Sequence, residues 1–134
     1  MGVSTDADIA FGIDLGEDIQ YGLPWFNEAE DENDDNWEWD EAFEEWCDKE
    51  FGEGNAPFEI VLHCSYDYSM YILALKGTHL SASRGYAEEF DPAKLLEEVP
   101  KDRVQMFKDL VEKYNIKGEN DVTEPSWLLF SLWG

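Results

Sequence analysis

Basic residues are almost missing from the first 56 positions of this 134-residue chain, where nineteen Asp and Glu stand against one base, Lys49. That stretch carries −18 of the total charge of −23; the remaining seventy-eight residues, with thirteen acids and eight bases, add only −5. A field of this sign repels phosphates and argues against direct nucleic-acid binding; it suits a basic partner, or solvent. Cysteine is scarce as well. Cys47 and Cys64 are the only two, with no CxxC or His-rich spacing, so a disulfide-rich scaffold and a zinc cluster are not expected, and both read as small buried hydrophobes in a reduced compartment. No apolar run approaches the roughly 20 residues of a membrane helix. The opening Met1-Gly2-Val3-Ser4-Thr5-Asp6 lacks the basic start and apolar core of a targeting peptide, and Asp6 stands where a myristoylation motif wants Ser or Thr. The expected location is the cytoplasm. Walker, GxGxxG, HExxH and GxSxG motifs are also missing, so the sequence names no reaction and no cofactor.

Aromatic residues, by contrast, are plentiful: six Trp, six Tyr and eight Phe, within a hydrophobic content of 43%. A disordered acidic tail has no core to build and typically lacks them. The chain is therefore expected to fold as a single domain, 1–134, with a largely aromatic core.

Ile9, Phe11, Ile13 and Leu15 alternate with Ala10, Gly12 and Asp14, the period of two of a first strand with one buried face. Gly16 to Pro24 reads as a loop, and Pro24-Trp25-Phe26 as an aromatic island anchoring it. From Glu28 to Glu53 fourteen of twenty-six residues are acidic. At 100° per residue, Trp39, Ala42, Phe43, Trp46 and Cys47 fall on one arc and Glu38, Asp40, Glu41, Glu44, Glu45 and Asp48 on the other. This predicts an amphipathic helix with an acidic outer face, capped by Asp35 with Glu38 and stopped at Gly52. Phe58 to Cys64 and Tyr71 to Lys76 predict an antiparallel hairpin, followed by a third strand near His79 to Tyr86. Asp91-Pro92 opens a short helix through Glu98, Pro100 starts another ending at Gly118, and Trp127 to Trp133, apolar on both faces, predicts a buried final strand. The fold class expected is α+β: a mostly antiparallel sheet of four to five strands with three helices packed on it.

Asp31, Asn33, Asp34 and Asp35 are the candidate metal ligands, because Asp31, Asn33 and Asp35 match the first, third and fifth positions of a calcium loop. The match breaks at Asn36, where the turn needs glycine, and at Ala42, where a bidentate Glu belongs; a low-affinity divalent-cation site is the alternative function carried forward. A small enzyme is the other, and a pocket holding Glu59, His63 or His79 would be its sign. Cys64 and His63 are strand neighbours and point to opposite faces, so they form no catalytic pair. Among the tryptophans, Trp39 and Trp46 belong to the helix core, whereas Trp37 and Trp25 are the candidates for exposed contacts.

Seven acids among residues 38 to 50 place one charge per roughly 2.8 Å of helix axis, against one per about 1.7 Å of duplex DNA. This density lets the face compete for a groove lined by Lys and Arg, which is DNA mimicry in the physical sense. The opening Ser4-Thr5-Asp6-Ala7-Asp8-Ile9-Ala10-Phe11-Gly12-Ile13-Asp14-Leu15, with Pro24-Trp25 after it, resembles that of small acidic proteins encoded by bacteriophages. The resemblance covers about the first 25 residues and brings no site residues with it. It implies a host-cell cytoplasmic setting, in which such proteins include anti-restriction and anti-CRISPR mimics. The function expected is a non-enzymatic protein-interaction module of phage type, an inhibitor occupying a basic surface of a nucleic-acid-binding protein. Its contact residues are Glu38, Glu41, Glu44, Glu45, Asp48, Trp37 and Trp25.

Overall fold

The computed structural model describes residues 5–17, 23–25, 39–65 and 69–133. Five strands, β1 (Thr5–Glu17), β2 (Phe58–Ser65), β3 (Ser69–Leu75), β4 (Leu80–Ser83) and β5 (Ser126–Trp133), form one mixed sheet with the order β3-β2-β5-β1-β4. Three helices, α1 (Trp39–Phe51), α2 (Pro92–Glu97) and α3 (Lys101–Lys113), complete an α+β domain.

The strand β1 is the spine. Its first half pairs with β5 from Thr5↔Trp133 to Gly12↔Ser126 and with β4 from Asp6↔Ser83 to Ile9↔Leu80. Its second half pairs with β3, from Gly12↔Ala74 to Glu17↔Met70, with a bulge between Asp14 and Gly16. The β2–β3 hairpin is antiparallel, as its alternation predicts, and β2 meets β5 in parallel at Cys64↔Leu132 and Ser65↔Trp133. The pairings β1–β3, β3–β2, β2–β5 and β5–β1 thus close a ring, and the sheet is curled rather than flat.

Small residues make the curl. Gly12, Ala10 and Ala74 are buried, and a Cβ at Gly12 would collide with the Leu73 carbonyl. The face carrying Ala10, Val61, Ile72 and Ala74, with Leu128 and Phe130 against it, is the inner one. The opposite face carries Phe11, Ile13, Leu15, Phe58, Leu73 and Leu75, which pack with Phe43 and Cys47 of α1 and Phe107 and Val111 of α3 in the main core.

Several details differ from the sequence reading: β1 continues through Gly16 to Glu17, and β4 is shorter than the expected His79 to Tyr86. The third helix stops at Lys113, not Gly118. Asn115 takes a left-handed φ of 53°, its N–H donates to the Glu112 carbonyl, and the Ile116 N–H donates to the Val111 carbonyl at 2.9 Å. This is a Schellman closure with Asn in the glycine position, sealed by burial of Ile116 beside Val111. The final strand is not buried on both faces: Leu129 is 84% and Trp133 46% exposed, because the described helices cover the half of the outer face centred on Phe11 to Leu15. Asp91 does cap α2, accepting from the Ala93 N–H at 3.0 Å.

Between β3 and β4 the edge partner of β1 is interrupted by the Lys76-Gly77 turn. The fully buried Thr78 fills the gap, its hydroxyl accepting from the Phe11 N–H at 3.1 Å and donating to the Leu75 carbonyl at 2.7 Å. Thr78→Val keeps the shape and removes both bonds. We predict a loss of about 1–3 kcal/mol in urea unfolding, the cost of stranding buried backbone groups; a change below about 0.5 kcal/mol would show that the hydroxyl does not bridge the break.

Candidate functional site

The helix α1 is built as its periodicity predicts. Phe43 and Cys47 are buried, Trp46 is half-buried, and Glu41, Glu44, Glu45 and Asp48 are exposed. Gly52 ends it at a φ of 87°, where a side chain would be strained, and its N–H donates to the Asp48 carbonyl at 3.0 Å. The buried arc locks α1 in place through rings: Trp46 lies 5.0 Å from Tyr114 and 5.7 Å from Phe51, both edge-on. The Tyr114 hydroxyl donates to Glu50 Oε2 at 2.7 Å, tying α1 to the end of α3; this bond raises the phenol's pKa, because ionising Tyr114 would set its charge against the carboxylate.

Trp25 is corrected by the structure. It is 4% exposed, edge-on to Phe43 at 4.9 Å and tilted on Trp46 at 5.4 Å, so it belongs to the core and is no exposed contact. An indole beside an apolar helix face gains more from burial than from exposure. Its role as the anchor of the island is the one observed. Glu38, Trp37 and the candidate ligands Asp31, Asn33, Asp34 and Asp35 lie outside the described residues. Among the described residues no group of three His, Cys, Asp or Glu could hold a metal ion.

Beside the acidic face runs a groove of about 640 Å³ between α1 and β2. Its floor is Phe43, Cys47, Phe58 and Ile60, and Glu44, Asp48, Glu53 and Glu59 stand at its walls with a single base, Lys76. Among the described residues Glu44, Glu45 and Asp48 enter no ion pair; the four pairs present are His63–Asp14, His79–Asp8, Arg103–Glu98 and Lys108–Glu124. An apolar floor under unpaired carboxylates accommodates a Lys or Arg side chain, stem below and charge at the rim. Cys47 at the floor is inert: burial and then the nearby Asp48 charge push its thiol up to about 12.

The inner face of the sheet holds His63 and His79, whose aspartate partners the sequence reading did not single out, and Glu59 and His79 line one recess of about 340 Å³ there. His63 Nε2 lies 3.0 Å from Asp14 Oδ1, and His79 Nε2 lies 2.9 Å from Asp8 Oδ1. Phe130 sits by both rings, edge-on to His63 at 5.9 Å and stacked with His79 at 6.2 Å. The signal lay in β1, where Asp6, Asp8 and Asp14 share the period-two face of Ala10 and Gly12. Cys64 adopts a left-handed φ of 73°, so the regular alternation of β2 ends just after His63.

No protein-family model matches the chain, and neither does any curated protein or any solved structure.

Burial opposes ionisation of Asp14, but hydrogen bonds from His63 and from the Gly16 N–H, with the charge of His63, outweigh it and hold the carboxyl below its usual value of 3.8. A depressed carboxylate contributes stability above its unfolded-state value and loses it as the pH falls through the lower folded-state value. Melting temperatures of wild type and Asp14→Asn should therefore differ most above about pH 5 and converge below the usual carboxylate range. Curves that stay parallel into strong acid would contradict the Asp14–His63 pairing.

Proposed function

We propose that this chain is a non-enzymatic interaction module, of the phage type its opening resembles, whose α1 face and adjoining groove occupy a basic surface of a nucleic-acid-binding protein. The observation that carries this reading is the arrangement of α1: an aromatic arc fixed in the core leaves Glu41, Glu44, Glu45 and Asp48 exposed in a row. These carboxylates continue into a groove walled by Glu53 and Glu59. A rigid anionic row costs little conformational entropy when a partner neutralises it. Like the phosphates of DNA, it exchanges condensed cations for Lys and Arg of the partner. Inhibition follows by occupancy, because nucleic acid and α1 compete for one basic site.

Because the acids act collectively, single substitutions should each weaken binding by less than about 1 kcal/mol. Changing Glu38, Glu41, Glu44, Glu45 and Asp48 together to Lys should abolish it. The test is capture from bacterial lysate with both proteins. Recovery by wild type alone of a nucleic-acid-binding protein, released by added DNA, is the expected result. Equal recovery by the five-fold variant, or capture that DNA does not reverse, would overturn the proposal.

A further inference from the structure

The described helices leave half of the outer sheet face open. Register carries that face beyond Phe11 through Ile9↔Leu129 of β5, Ile9↔Leu80 of β4 and Ala7↔Ala82 of β4. Two recesses lie end to end on it. One, of about 780 Å³, is bordered by Arg84 and Tyr86, and the other, of about 330 Å³, by Glu88, Glu89 and Phe90; Ala7, Ala82 and Leu129 border both. No residue of the three helices borders either one. Leu129 is 84% exposed, and Tyr86 and Phe90 are exposed with it. Large apolar side chains gathered around one open face, rather than scattered singly, mark a surface that another surface covers.

Charge identifies the occupant. The patch is polar along its length: Arg84 stands at one end, Ala7, Ala82 and Leu129 in the middle, and Glu88 and Glu89 at the other end. Asp6 also borders the Arg84 recess, but alternation along β1 turns its carboxyl to the inner face with Asp8. A uniformly basic or uniformly acidic partner would match one end and clash with the other. A half-turn about an axis near Leu129 matches both ends at once: Arg84 of each copy lies over Glu88 and Glu89 of the other, and each Leu129 enters the recess beside its counterpart. We propose that this chain pairs with a second copy of itself through the open outer face of β4, β1 and β5, the two sheets stacking as layers. The carboxylates of α1 border neither recess, so the repulsion of two chains at −23 each is kept outside the contact. The pairing is independent of what α1 binds.

Sedimentation velocity measures the mass of the full chain at roughly 100 µM, above the micromolar range of weak specific interfaces, and at about 0.15 M salt, where long-range repulsion is screened. Wild type is expected to sediment at twice the chain mass, and so is the α1 variant Glu44→Gln, Glu45→Gln, Asp48→Asn. Leu129→Glu, at a position already in water, should weaken the pair roughly tenfold or more with its circular-dichroism spectrum unchanged. Arg84→Glu alone, and the double variant Glu88→Arg, Glu89→Arg alone, should each be monomeric, because each sets like charges against one another. An equimolar mixture of the two should pair, because both ends match again. A monomeric wild type would overturn the proposal and give the patch to a foreign protein. Pairing that Leu129→Glu leaves intact, or charge variants whose mixture pairs no better than either alone, would overturn it as well.

Discussion

The close approach of two backbones at Gly12 is the constraint on which the rest of the structure depends. No side chain fits between β1 and the Leu73 carbonyl, so β1 can pass there from pairing with β4 and β5 to pairing with β3. Without that passage the sheet would not close on itself. The Thr78 hydroxyl serves the same junction from the other side, supplying the acceptor that a continuous neighbouring strand would otherwise have offered to Phe11.

Closing the sheet separates two environments on one strand. Phe11, Ile13 and Leu15 go to the helices; Asp8, Ala10 and Asp14 go inward. The inward acids are tolerated because each meets a histidine, and Asp14 meets a backbone N–H as well. The helix α1 shows the complementary solution. Its aromatic arc buries Phe43 and packs Trp46 among Trp25, Phe51 and Tyr114, while its charges stay in water, where their repulsion is screened. The core fixes the helix, and the fixed helix presents the charges.

Much of this was legible in the sequence, for identifiable reasons. Strands β1, β2 and β3 and the helix α1 announce themselves because their apolar residues keep one period over several turns or pleats. The end of α3 was misread because Asn115, a residue tolerated in the left-handed region, closes the helix before Gly118 is reached. The last strand looked doubly buried because apolar composition does not reveal whether a helix covers a given face; Leu129 is left open. Trp25 was misassigned for a related reason, since a loop position says nothing about where its ring goes. The inner-face pairs were illegible because their members are far apart in the chain: Asp8 meets His79 where β1 pairs with β4, and Asp14 meets His63 across β3.

The central claim is that the α1 face recognises its partner by charge held at fixed spacing. The most direct measurement is the association constant of the wild-type chain with the captured partner across a series of salt concentrations. A linear fall of log K with log salt, with a slope of several units that flattens when Glu38, Glu41, Glu44, Glu45 and Asp48 are all replaced by Gln, is the predicted result. An affinity that salt leaves unchanged, or a slope the Gln variant retains in full, would contradict it and assign recognition to another part of the surface.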